Sequence, residues 1–183
     1  MRRVLLLGLA VAGALLVSLP GAFGAGAAVK DEVGVTKTSI KIGGTFPLTG
    51  PASGYAPIPG AMKAYFSYIN ARRGPDGKRG VYGRQIIFKY YDDGYNPANS
   101  VQLTRKLVEE DKVFAVVASL GTEVNEAIQP YLNEKKVPHV LVSTGASEWG
   151  TNFRKYPWSI GWQPDYIGEG RIYGQNIAKF GPT

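Results

Sequence analysis

Three short stretches combine hydroxyl side chains with glycine: Leu48–Tyr55, Ser119–Thr122 and Ser143–Ser147. Ser and Thr hydroxyls beside free backbone N–H groups bind a carboxylate well. A helix N-terminus or a turn nest adds favourable partial charge. Thr122 stands where a helix should open. The run Ser143-Thr144-Gly145-Ala146-Ser147 offers consecutive N–H and O–H donors, and carbonyls that could accept from an ammonium group. Each stretch alone is an ordinary connector. Brought together, they would make a small, concave, polar site for a zwitterion or a small polar acid.

Other chemistries find less support. Asp92-Asp93 is a carboxylate pair of the kind that does acid–base work or holds a hard cation, but it closes an apolar run and reads as a strand-end turn. His139 is the single histidine; it begins a strand, on the edge opposite the polar turns, so no Ser–His relay forms with Ser119 or Ser143. The basic, Gly-rich loop Gly74–Gly83 follows a helix and precedes a strand, the reverse of a phosphate-cradling loop. Cysteine is absent, which removes thiol nucleophiles and Cys-ligated zinc. No metal or other cofactor is expected, and no catalysis.

The elements that must position these turns follow from periodicity. Ile40–Phe46 reads as a strand, ending at Pro47 in the first polar turn. After Pro59 a helix places Met62, Tyr65, Phe66 and Ile69 on one apolar face against the core. Arg84–Tyr91 is the next strand. Asn96-Pro97 opens a helix, Asn as N-cap and Pro at N1. Val113–Ala118 is an unbroken apolar run, as in a strand buried on both faces. The following helix carries Val124, Ala127, Ile128, Tyr131 and Leu132, and Pro130 should kink or break it. His139–Val142 and a short segment around Trp158–Ile160 are further strands. Pro164–Phe180 is a last helix with Tyr166, Ile167, Ile172, Tyr173 and Ile177 apolar. This order predicts an α/β fold with a doubly wound, mostly parallel sheet. Right-handed crossovers then gather the strand-end turns on one edge, where open α/β sheets bind ligands.

The chain of 183 residues opens on Met1-Arg2-Arg3, an apolar run Val4–Leu19, and small residues to Ala28. This reads as a secretory leader over residues 1–27, with Ala25-Gly26-Ala27 at the cleavage point. The run of about 16 residues is short of the roughly 20 that span a bilayer. What remains, about 156 residues, is a one-domain length. Without disulfides it must be held by packing. The net charge of +7 falls to about +5 once Arg2 and Arg3 leave. The cations are scattered along the chain, apart from Arg72-Arg73 and Lys78-Arg79; a nucleic-acid face would want them clustered with interleaved aromatics, and export argues against one, so no nucleic-acid partner is expected.

The residues also resemble a known family. Lys41-Ile42-Gly43, Phe46-Pro47-Leu48-Thr49-Gly50-Pro51, Gly54 and Gly60-Ala61 are similar to the opening of the periplasmic branched-chain amino acid binding proteins, the type I substrate-binding proteins of ABC transporters. Ile69-Asn70, Gly80, Gly83-Arg84, Asp92-Asp93, Val137-Pro138 and Ser143–Ala146 continue the resemblance in order, over about Ile40–Phe180.

The resemblance implies a Rossmann-like lobe, residues 28–183, corresponding to the first of the family's two lobes; the second is not in this sequence. It implies an exported, monomeric carrier in the periplasm or at the cell surface. Such a carrier delivers a small polar solute (amino acid, amide or small carboxylic acid) to permease subunits. A receptor's sensory domain shares the fold and is the alternative. The family's first-lobe contacts fall on Tyr55, on Ser119 or Thr122 with Gly121 between, and on Ala146 and Ser147, beside Gly145. Two departures bear on specificity. Leu120-Gly121 is poorer in hydroxyls than in the amino-acid binders, and Glu148-Trp149 sets a carboxylate and a large ring beside the pocket.

Overall fold

The computed structural model describes residues 32–181; the leader read over residues 1–27 lies outside them. Five strands form one sheet in the order β2-β1-β3-β4-β5, every pairing parallel. They are β1 (Ser39–Phe46), β2 (Gln85–Asp92), β3 (Ala115–Val117), β4 (His139–Val142) and β5 (Ser159–Gly161). The helices are α1 (Pro57–Ala71), α2 (Pro97–Glu109), α3 (Thr122–Glu134), the single turn α4 (Glu148–Thr151) and α5 (Tyr166–Phe180). A 3-10 turn at Ser53–Tyr55 precedes α1. This is the doubly wound α/β lobe anticipated from the sequence, parallel throughout.

Register assigns the two faces. β1 pairs with β2 along its whole length, from Ser39↔Gln85 to Phe46↔Asp92. Phe46 therefore shares a face with Phe88 and Tyr90, packing edge-on to both rings. Phe88 in turn meets Phe66 of α1 at 5.3 Å between ring centroids. The other face carries Val116, packed with Leu107 of α2, Val113, and Ile128, Tyr131 and Leu132 of α3. Asn96 caps α2 as its sequence suggests, its Oδ1 accepting from the N–H groups of Ala98 and Asn99.

Two expectations are corrected. Tyr65 of α1 is exposed, while Met62, Phe66 and Ile69 are only half-buried. The edge strand β2 offers α1 a narrow seat, so its apolar stripe centres on Phe66. Pro130 does not break α3, which runs unbroken to Glu134. The carbonyl that Pro130 leaves without a donor belongs to exposed Glu126, where water can serve it.

The last helix, α5, stands apart from the others. The helix forms, with Asp165 capping Gly168 N–H at 2.8 Å, and its first residue is held to the lobe by Tyr166 N–H donating to Gly145 O at 2.7 Å. Yet none of its residues is buried; Ile167, Ile172, Tyr173, Ile177 and Phe180 all face solvent. The apolar stripe read in the sequence is real, but it does not pack on this sheet.

Candidate functional site

All of the polar turns lie at the carboxyl ends of parallel strands, hence on one edge of the sheet. The order β2-β1-β3 places the reversal of winding between β1 and β3, where such sheets open a crevice. Ser119 closes the bottom of that crevice. It is fully buried, and its hydroxyl accepts from Thr45 N–H of β1 at 3.0 Å. Its carbonyl accepts from Ser143 N–H and from Asn125 Nδ2. The Ser119 hydroxyl is thus a structural tie between β1 and β3.

Gly121 is the N-cap of α3, with φ +111°. A Cβ there would stand 2.4 Å from Tyr95 Cε2 and 2.8 Å from Val124 Cγ2, so glycine is required by conformation and by space. Thr122 is the first residue of α3 rather than its cap, and its side chain makes no capping bond. Its Oγ1 instead shares a hydrogen bond with Thr144 Oγ1 at 2.6 Å. Thr144 Oγ1 also accepts from Ala146 N–H at 3.2 Å. The turns after β3 and β4 are further joined by the bridge Leu120↔Ser143 and by Gly121 N–H to Ser143 O. Two turns far apart in sequence thereby become one hydroxyl-bearing ledge.

Beyond the ledge lies a cavity of about 660 Å³. Thr144, Ala146 and Ser147 form its polar side, Trp149, Ile160 and Trp162 its apolar side, and Asp165 its far lip. Ser147 Oγ points to Asp165 Oδ1 in a long contact of 3.5 Å. Gly145 is buried against Tyr166, whose ring would lie 2.5 Å from a Cβ at this position. Tyr55 ends the 3-10 turn after β1 and is 54% exposed. It shares the sheet edge with the ledge but does not line this cavity.

Two aromatics stand at the rim that the sequence reading did not place at the site: Tyr95, which it did not single out, and Tyr166, which it read only as an apolar position of the last helix. Tyr95, just past β2, packs its ring on Gly121. Burial pushes its phenol up, the Glu123 carboxylate adds to this, and the Thr122 N–H opposes it. Tyr166 covers Gly145. A signal existed for Tyr95: an aromatic placed between a strand-end Gly94 and the helix cap Asn96. Carboxylates gather nearby as well. The Glu126 carboxyl is raised, chiefly by a hydrogen bond with Glu148, then by burial and by the Glu148 charge.

The Asp92-Asp93 pair is divided between two tasks. Asp92 Oδ1 accepts from the N–H groups of Leu48, Thr49 and Gly94, and Oδ2 from the Thr49 hydroxyl at 2.7 Å. Asp93 is buried, accepts from Tyr95 N–H, and is raised by burial. Among the described residues no cluster of three metal-ligating side chains occurs. His139 lies inside the lobe, its Nε2 2.9 Å from Asn125 Oδ1 and its Nδ1 3.4 Å from Ser159 Oγ. Trp149 packs edge-on to it and is buried.

The model of the periplasmic binding protein family matches residues 39–183. The chain belongs to this family. No curated protein matches it. Solved structures do. A possible leucine/isoleucine/valine-binding protein from Rhodopirellula baltica superposes with TM-score 0.67 at 25% identity, over 81% of this chain and 38% of its own. A solute binding protein of an ABC transporter from Rhodopseudomonas palustris, in complex with 3,4-dihydroxy benzoic acid, gives 0.62 at 25%, over 77% and 36%. The isoleucine complex of LivJ from Streptococcus pneumoniae gives 0.64 at 24%, over 78% and 38%, and shows the shared fold. The chain thus spans well under half the length of these relatives.

Proposed function

We propose that this lobe is part of an extracytoplasmic solute-binding component of an ABC transporter, exported by cleavage of residues 1–27. It is not an enzyme. It holds a small polar solute and passes it to permease subunits, acting as a monomer. The observation that carries this reading is the Thr122–Thr144 ledge, which continues through Ala146 and Ser147 into the cavity walled by Trp149, Ile160 and Trp162. Hydroxyl and amide donors on one side, with rings and aliphatic groups on the other, suit a carboxylate carried on an apolar or aromatic body. The solutes named for the Rhodopirellula and Rhodopseudomonas relatives have that chemistry. Thr122, Thr144, Ala146 and Ser147 are the proposed contacts of this lobe, with Tyr95 and Tyr166 beside them and Gly145 beneath the Tyr166 ring. Gly121 and Ser119 shape the crevice, and Tyr55 borders it.

The second lobe is part of the proposal. It would supply the remaining contacts and cover the solvent-facing side of α5. One lobe offers a share of the contacts, so closure around the solute supplies the rest of the affinity.

The test is thermal melting against branched-chain amino acids, aromatic carboxylic acids including 3,4-dihydroxybenzoate, and urea and simple amides. A ligand at a hundredfold excess over its Kd stabilises by about 2.7 kcal/mol, a shift of several degrees. A rise with one class identifies the solute. No response to any member, at concentrations in the millimolar range customary for weak sites, would overturn the reading.

A further inference from the structure

The opposite edge of the sheet, where the strands begin, carries a second surface. The turns before β3 and β4 and the approach to β5 enclose a groove of about 700 Å³. Its apolar walls are open to solvent: Val33 is 60% exposed, Phe114 38% and Trp158 39%. Lys112, Lys135 and Lys136 line the same groove, with Glu32 the one carboxylate among its lining residues. None of these lysines is in an ion pair among the described residues. Lys112 and Lys136 both have φ +55°, a left-handed turn position that Gly or Asn fills with less strain. A neighbouring recess shares Pro138 and Trp158 and extends the apolar strip to Phe153, which is also exposed. The Arg154 guanidinium lies 5.7 Å from the Phe153 ring centroid, which adds a cation at the far end of the strip.

Lysines with long apolar stems, interleaved with tryptophan and phenylalanine, have the composition of a membrane–water interface. Protein–protein interface cores, in contrast, are depleted of lysine. We propose that this edge of the lobe docks on an anionic lipid bilayer, the lysines on the headgroups and Val33, Phe114, Phe153 and Trp158 in the interfacial layer. The path of the chain agrees. It enters the lobe through Glu32 and Val33, which are themselves on the wall of the groove. The solute ledge sits at the other ends of the same strands, β3 and β4, beyond about 10–13 Å of strand for their three and four residues. Docking therefore leaves the ledge facing away from the lipid.

The experiment is flotation of the purified chain with vesicles of phosphatidylcholine alone and of phosphatidylcholine mixed with phosphatidylglycerol. Binding is expected to the mixed vesicles and not to the neutral ones. It should fall steeply between about 0.1 M and about 1 M salt, as the screening length shrinks from about 10 Å to about 3 Å. Replacing Lys112, Lys135 and Lys136 together by Gln should weaken partitioning roughly a hundredfold, with circular dichroism and melting unchanged. The protein used begins at residue 28, as the exported chain does, so no leader contributes to the binding. Tryptophan emission should shift to the blue on binding, and Trp158→Phe should remove that shift. Binding that is equal on neutral vesicles, insensitive to salt, or unchanged in the triple variant would overturn the proposal. So would a salt-sensitive dimer without vesicle binding, which would assign the surface to a second copy of the chain.

Discussion

The hydroxyls of Thr122 and Thr144 lie 2.6 Å apart, although 22 residues separate them in the chain. One stands at the start of α3 and the other just after β4. The parallel pairing of β3 with β4 fixes this distance. The pair cannot form unless the sheet order is right, so it reports on fold and site together. Thr122→Val keeps the shape and removes the hydroxyl. The expected cost is about 1 kcal/mol of stability, with complete loss of the melting shift given by any solute that stabilises the wild type. Thr122→Ser should restore most of that shift. A full shift retained in the valine variant would remove Thr122 from the proposed contacts.

Gly121 and Tyr95 make a second coupled pair. A methyl group at 121 would enter the Tyr95 ring and also demand a residue with φ +111°. Gly121→Ala should destabilise by about 2–3 kcal/mol through overpacking and backbone strain. Tyr95→Ala opens space for the methyl but leaves the backbone strain. The double variant should therefore be more stable than the sum of the two single losses predicts. Additive losses, from denaturant melts of all four proteins, would show that the ring does not limit this position.

Much of this lobe was legible in the sequence because burial on a sheet writes a short-range pattern. The apolar run Val113–Ala118 and the Asn96-Pro97 opening announce elements through local chemistry. The polar turns were legible for the same reason, since Gly, Ser and Thr mark strand ends. What could not be read was which hydroxyl meets which. Ser119 and Thr122 lie three residues apart in one turn, yet one ties β1 to β3 from within and the other faces the ledge. Only the direction of each side chain separates them, and that is set by pairing with distant strands. Tyr95 was missed because it reaches Gly121 past the end of β1, which intervenes in the sheet. The stripe on α5 shows the converse: periodicity reveals that a helix has an apolar face and is silent on what covers it.

Asp92 ties the first polar turn to the end of β2. Burial raises its carboxyl, but the Thr49 hydroxyl and the N–H groups of Gly94, Thr49 and Leu48 together outweigh that, and the net shift is downward from 3.8. A carboxylate whose folded value is lowered stabilises the fold above its unfolded value, and the contribution fades as pH falls through the folded one. Stability should therefore drop below about pH 4 in the wild type. Asp92→Asn should be less stable at neutral pH and show a shallower acid limb. Melting curves from neutral to acid pH read this directly; parallel curves for the two proteins would mean that the charge of Asp92 does not hold the turn.

His139 gives the opposite chemistry at a milder pH. Full burial pulls its imidazole from 6.5 down to about 3. The ring stays neutral in the folded lobe, between Asn125 and Ser159, while the unfolded chain protonates below about 6.5. In that window the unfolded state binds one more proton than the folded state, so acid favours unfolding. The slope approaches about 1.4 kcal/mol per pH unit and levels off only near the folded value. Because this loss begins near pH 6, it precedes that of Asp92, and the two separate along the pH axis. His139→Gln offers an amide N–H to Asn125 and does not titrate. It should cost stability at pH 7 through altered packing against Trp149, yet lose less than the wild type between pH 6 and pH 4.5. If both proteins lost stability equally over that interval, the buried imidazole would not be the source of the acid sensitivity.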